Sequence, residues 1–477
     1  MRLAFLIVVA LCASVAAQSA QSAHPLIERI ETGLVPSLLI ENEPREPVGI
    51  GARMAQLGVP GASLAFVEGG EVVWARAYGL AHVATGTAAT PETRFQAASL
   101  SKPIAATAAL DLVDDGRLAL DADVNRALAS WRVPDSPLTA DAPVTLRGLL
   151  THTAGLSVHG FSGYGPGETV PTTAGVLRGD GNSEAVRVAQ TPRTAYRYSG
   201  GGYTVAQLMI EDVTGQPFAD VLRTRVLAPL GMRHSTAAMR LPQAVRSLAA
   251  TGYRPDGTPV DGRFHTYPEQ AAAGLWTTPT DLARWLLAIQ RSLAGEPHPV
   301  LDAQTVRQMV MPDPVGGHGL GPGVRPGGGF FGHSGANEGF HAVMTAETDG
   351  GRAIVVMTNS DLGGVLAHEV LITVADHLGW DEPGPTRKTV VALAAADLGR
   401  FAGRYCAVDR PGLVVTIRVA GADLVFAREW DGGAIRLAPE SPTAFFDRRD
   451  ATAVVFASSE GDAFTVDGLR FERIAAD

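Results

Sequence analysis

Three short stretches of this chain carry side chains able to move a proton and attack a carbonyl. In Phe95-Gln96-Ala97-Ala98-Ser99-Leu100-Ser101-Lys102 a serine stands three residues before a lysine. An Ala-rich helix is expected from Ser101 to Val113, with Pro103 in its first turn, so one turn brings the Lys102 amine back towards the Ser99 hydroxyl. A serine hydroxyl is a poor nucleophile until a base takes its proton, and a lysine of lowered pKa can serve or assist as that base. The backbone N–H of Ser99, at a helix start, can steady a developing oxyanion. Alone, the spacing is weak, because most Ser-x-x-Lys matches are solvated helix ends. Composition adds weight: Lys102 and Lys388 are the only lysines among 477 residues, and arginine does not deprotonate.

The second stretch, Arg197-Tyr198-Ser199-Gly200-Gly201-Gly202-Tyr203, sets a tyrosine in a Gly-rich turn before a helix reaching Val213, where its hydroxyl can relay a proton. The third, Gly332-His333-Ser334-Gly335-Ala336-Asn337-Glu338-Gly339-Phe340, is a Gly-rich strand entry that lets substrate backbone approach, with His333 placed to touch it. Taken singly, Tyr198 reads as a packed aromatic and His333 as a structural histidine. The combination carries the functional reading.

Those residues need elements to hold them. Two apolar runs on either side of Glu68-Gly69-Gly70-Glu71 predict a β-hairpin between Gly58 and Gly79. Thr278-Pro279-Thr280-Asp281 opens a helix, Ala353 to Thr358 reads as a buried strand and Leu366 to Leu378 as a closing helix. Strands at both ends with helices between give an α+β domain over 24–380. Pro and Gly then cluster in a linker, 381–392, and short β runs fill a small all-β domain of meander or barrel type over 393–477.

Composition is ordinary for a globular protein, with 46% hydrophobic and 18% charged residues. A formal charge of −10 leaves no electrostatic footprint for nucleic acid. The apolar run Leu3 to Ala17, followed by small and polar residues up to position 23, reads as a signal peptide too short to span a bilayer, which implies export to the periplasm or medium. Cleavage removes Cys12 and leaves Cys406 without an intramolecular disulfide partner. Neither the cysteines nor the twelve scattered histidines show metal-ligand spacing, and no cofactor is implied.

The quoted stretches, with Val59-Pro60-Gly61-Ala62, Leu149-Leu150-Thr151-His152-Thr153-Ala154-Gly155-Leu156 and Pro229-Leu230-Gly231-Met232, resemble the serine β-lactamase and penicillin-binding superfamily, in its class C, D,D-carboxypeptidase and family VIII esterase branch. The resemblance covers roughly Ile50 to Gly379. It implies an antiparallel sheet flanked by helices, an acyl-enzyme on Ser99, Lys102 and Tyr198 as joint proton-transfer partners, and His333-Ser334-Gly335 as the substrate-side element. Ala336 would supply the second oxyanion N–H. Gly200 stands where the family's Tyr-x-Asn element has its asparagine, so amide recognition is expected to be weak. His333 in place of lysine removes a fixed charge for a substrate carboxylate, and acidification to about pH 6 is expected to restore it in part. Small-molecule esters, D-amino-acid peptides or β-lactams are the implied substrates. The alternative is a catalytically weak protein that binds cell-wall peptides or β-lactams.

Overall fold

The computed structural model describes residues 24–475, so the expected leader lies outside the described residues. The chain divides into two units, one of 49–370 with the segment up to Glu31, the other of Thr32–Val48 with Leu371 onward.

The first unit is built on a seven-stranded sheet. Its strands are β1 (Gly61–Glu68), β2 (Glu71–His82), β3 (Thr87–Ala88), β4 (Gly323–Val324), β5 (Phe330–Asn337), β6 (Phe340–Glu347) and β7 (Ala353–Thr358), in the order β3-β2-β1-β7-β6-β5-β4. The pairs are antiparallel, as in Val355↔Ala65 and Gly335↔Ala342. Strands from the two ends of the 49–370 segment thus meet in the middle of the sheet. β1 and β7 are buried along nearly their whole length, as central strands covered on both faces must be, which is why Ala-Ile-Val-Val-Met-Thr shows no alternation. The hairpin turns at Gly69 and Gly70, both at positive φ (60° and 79°), where a side chain would be strained.

Four helices are foreshadowed by sequence signals, and the first two carry or flank the candidate site residues. α1 (Ser101–Asp114) is buried on almost every side from Ser101 to Leu112, which explains its uniform Ala and Leu content. α2 (Gly200–Thr214) is capped by Ser199, whose Oγ accepts the N–H of Gly202 at 2.9 Å. α3 (Pro279–Leu293) starts as its sequence signals, with the Thr278 side chain accepting the Asp281 N–H and Pro279 in the first turn. α4 (Gly363–Leu378) follows the last strand of the sheet.

In the second unit, eight antiparallel strands from Gly403–Ala407 to Leu469–Ile474 close into a barrel, each beside its sequence neighbours. Eight strands enclose just enough room for side chains, and Tyr405, Phe445, Phe456 and Phe464 fill it. The stretch read as a linker is partly ordered here: Thr386–Lys388 pairs in parallel with Leu38–Ile40, and Lys388 forms an ion pair with Glu440 at 2.8 Å. Residues 32–48 therefore belong with the barrel, a non-local pairing that no local sequence pattern announces. Among the described residues no helix is long and apolar enough to cross a membrane.

Candidate active site

Ser99 sits in a single 3-10 turn, Ala98–Leu100, at the head of α1. Ala98 has φ 49°, a left-handed conformation that costs a non-glycine residue about 1–2 kcal/mol. That strain persists because its surroundings hold it: Ala98 is fully buried, and its carbonyl accepts the Ser101 hydroxyl at 2.6 Å. The sharp turn leaves Ser99 half-buried while its neighbours are buried.

Lys102, one turn on, is 2% exposed. Its Nζ donates to Ser99 Oγ at 2.9 Å and to the Ala272 carbonyl at 2.8 Å. Burial pushes the amine down from 10.5 to about 7, so a large fraction is neutral at physiological pH. The ammonium form also lies 5.0 Å from the centre of the Tyr198 ring. Tyr198 completes the trio. Burial pushes its phenol up to about 12, with nearby Ser99 drawing it partly back. Lys102 bonds to Ser99 and lies against the Tyr198 ring, so the three groups meet at one place.

β5 supplies the other wall. A Cβ on Gly335 would lie 2.7 Å from the Ser99 nitrogen and 2.6 Å from the Ala97 carbonyl, so only glycine lets this strand approach the nucleophile. Ser334 and Ala336 flank it with exposed side chains, as the strand alternation requires. Asn337, at the end of β5, donates to Gln96 Oε1 at 2.9 Å and to the Ala273 carbonyl at 3.1 Å. That amide ties together the strand, the residues before Ser99 and the turn whose Ala272 carbonyl holds Lys102. The sequence reading did not single it out.

His333 is half-buried on β5. Burial, with the positive field of Lys102, pushes its imidazole down to about 3. The expectation that it becomes charged near pH 6 is therefore corrected: it stays neutral over the working range. Gly200, where the family's element has asparagine, is tightly packed. It is the buried first residue of α2, and a Cβ there would stand 3.0 Å from both the His159 carbonyl and the Phe161 ring. An asparagine side chain meets those neighbours first.

His152, quoted only as part of a motif, has a definite task. It is 1% exposed, and its Nδ1 accepts the N–H of Ser199 at 3.1 Å. Its ring lies 4.2 Å from that of Tyr198. It thus fixes the backbone that carries Tyr198.

Glu269 was not foreseen either. It is fully buried just before the turn that holds Lys102, and neither carboxyl oxygen has a hydrogen-bond partner. Burial raises its pKa from 4.5 to about 7. The folded state keeps the proton that the unfolded chain releases, so stability is lost as pH rises from 4.5 through 7. Glu269→Gln is expected to add about 3 kcal/mol at pH 8 and little at pH 4, a size set by the free energy per pKa unit. Urea unfolding at both pH values checks this, and equal effects at the two would reject it.

Residues 50–378 match the family model Beta-lactamase. The chain belongs to the Beta-lactamase family. Within it, Penicillin-binding protein 4 of Amycolatopsis lactamdurans is 33% identical over 207 residues, 42% of this chain and 52% of that protein. Esterase EstB of Burkholderia gladioli is 37% identical over 186 residues, 36% of this chain and 46% of that one. A D-aminopeptidase of Brucella ovis is 27% identical over 249 residues, 50% and 44% of the two chains. The chain spans about half the length of these curated relatives. The octameric penicillin-binding protein homologue from Pyrococcus abyssi shares the fold with a TM-score of 0.61, covering 88% of this chain and 97% of its own at 22% identity.

Proposed function

We propose that this Beta-lactamase family member is a serine hydrolase that forms an acyl-enzyme on Ser99 and prefers esters to charged peptides or β-lactams. The 2.9 Å hydrogen bond between Ser99 Oγ and a Lys102 amine brought to about 7 carries the reading. A neutral Lys102 takes the Ser99 proton as the hydroxyl attacks the carbonyl carbon. The N–H groups of Ser99 and Ala336 receive the developing oxyanion. Tyr198, too weak an acid to ionise at neutral pH, passes a proton to the leaving alkoxide and recovers one from Lys102. Water then attacks the acyl-enzyme with the same groups acting in reverse.

Ester preference follows from electrostatics. A substrate carboxylate needs a cation, and His333 is neutral at working pH while Lys102 is engaged with Ser99 and Ala272. The relatives bearing esterase, D-aminopeptidase and penicillin-binding names support acyl transfer as the common chemistry, and the neutral His333 selects among their substrates.

p-Nitrophenyl butyrate is expected to exceed nitrocefin and a D-alanyl-D-alanine peptide in kcat/KM by about ten- to a hundredfold, the scale set by one missing charge-assisted hydrogen bond. That margin is expected to stay unchanged between pH 7.5 and pH 6, because His333 does not titrate there. Faster turnover of nitrocefin or the peptide would overturn the substrate assignment.

A further inference from the structure

Beside the Ser99 trio the fold collects three histidines from distant parts of the chain. His152, His318 and His333 bring ring nitrogens within 4.8 Å of one another. Two of the rings are oriented as metal-ligating histidines commonly are. His318 Nδ1 lies 2.9 Å from the Gly319 carbonyl, and His333 Nδ1 lies 2.6 Å from that of Ser334. A carbonyl only accepts, so both Nδ1 atoms carry the proton and both Nε2 atoms present a lone pair. His152 has the opposite tautomer. Its Nδ1 accepts the Ser199 N–H, which leaves the proton on Nε2, a buried atom with no partner. Two lone pairs and one unsatisfied N–H suit a cation that carries a water or hydroxide: two imidazoles take the cation and the third donates to its oxygen.

The chemistry of the donors narrows the ion. Imidazole nitrogens without a thiolate suit Zn2+, Cu2+ or Ni2+, whereas Mg2+ and Ca2+ require oxygen ligands. Burial holds all three rings in the neutral form that metal binding needs.

We propose that His318 and His333 bind a divalent transition-metal ion, with His152 donating to an oxygen on that ion, and that its occupation shuts down the Ser99 centre. The charge of Lys102 already reaches all three histidines. A dication among them opposes the protonation of Lys102 that every acylation step requires. It also crowds Tyr198, whose ring lies 4.2 Å from that of His152 and 6.3 Å from that of His333. The site is therefore an inhibitory one.

The test is titration of the full chain with ZnCl2, followed by calorimetry and in parallel by ester hydrolysis, with EDTA added at the end. Saturable binding of a single ion, loss of turnover in step with it and recovery on chelation are expected. His318→Gln and His333→Gln are each expected to weaken Zn2+ binding by about 10- to 100-fold, the usual scale for disturbing a metal's ligand set. His298→Gln, at a histidine outside the cluster, is expected to leave Zn2+ affinity unchanged. Because His318 is buried, thermal melting accompanies each variant, and His333→Gln, at a half-buried position, decides if His318→Gln does not fold. No Zn2+ binding, affinity unchanged in the folded variants, or a filled site with undiminished turnover would each overturn the proposal. Calorimetry needs no substrate, so a failed ester assay and an absent metal site give distinguishable results.

Discussion

Ser99→Ala is expected to lower kcat for p-nitrophenyl butyrate by about 10⁴-fold or more, the scale on which losing a covalent nucleophile is felt. The fold is expected to survive. Ser99 Oγ bonds to Lys102, whereas the local turn is held by Ser101, whose hydroxyl donates to the Ala98 carbonyl and accepts the Leu275 N–H. Lys102 keeps its bond to the Ala272 carbonyl when the serine is gone. The thermal midpoint should therefore move by no more than a few degrees, as for about 1 kcal/mol in a chain of this size. Intact-mass measurement after a fluorophosphonate probe adds a covalent readout: a single adduct in the unmodified protein, none in the variant. An adduct that persists in folded Ser99→Ala would place the nucleophile elsewhere and remove the acyl-enzyme on Ser99.

How much of this was legible before the structure depended on the range over which each signal acts. The hairpin at Gly69-Gly70, the buried strand Ala353–Thr358 and the helix from Ser101 are written in neighbouring residues, through turn chemistry, apolar runs and capping, and the structure places them within a few residues of the sequence reading. That Ser99, Lys102, Tyr198 and Gly335 lie close together was legible from the spacing of the first two and the Gly-rich settings of the others. What escaped is set by distant contacts. His152 acts through the backbone of Ser199, and Asn337 through Gln96 and Ala273. The burial that neutralises His333 and raises Glu269 comes from surrounding segments, and no local pattern encodes it. Gly200 stands where the family has asparagine, and packing against His159 and Phe161 gives the glycine a steric reason that its motif position does not show.

In the proposed mechanism the Lys102 amine sets the pH behaviour. The form proposed to accept the Ser99 proton is the neutral amine, present above its pKa of about 7. kcat/KM is expected to fall about tenfold per pH unit well below 7, bend near 7 and level off above 8. Tyr198, held to about 12, leaves that plateau flat up to about pH 10. His333, held to about 3, adds no inflection near 6. Lys102→Arg keeps a cation beside Ser99 but cannot release its proton in the working range, so kcat is expected to drop by about 10²- to 10⁴-fold and the bend near pH 7 to vanish. Lys102→Met removes both the charge and the base, yet fills similar volume in a site that is almost wholly buried. It should fold and be equally slow. The two variants separate charge from proton transfer: if Lys102 served only as a fixed positive charge, Arg would retain most of the activity and Met would lose it. Near-normal turnover in the arginine variant, or an unmodified protein whose profile shows no bend between pH 6 and 8, would assign the proton transfer from Ser99 to another group.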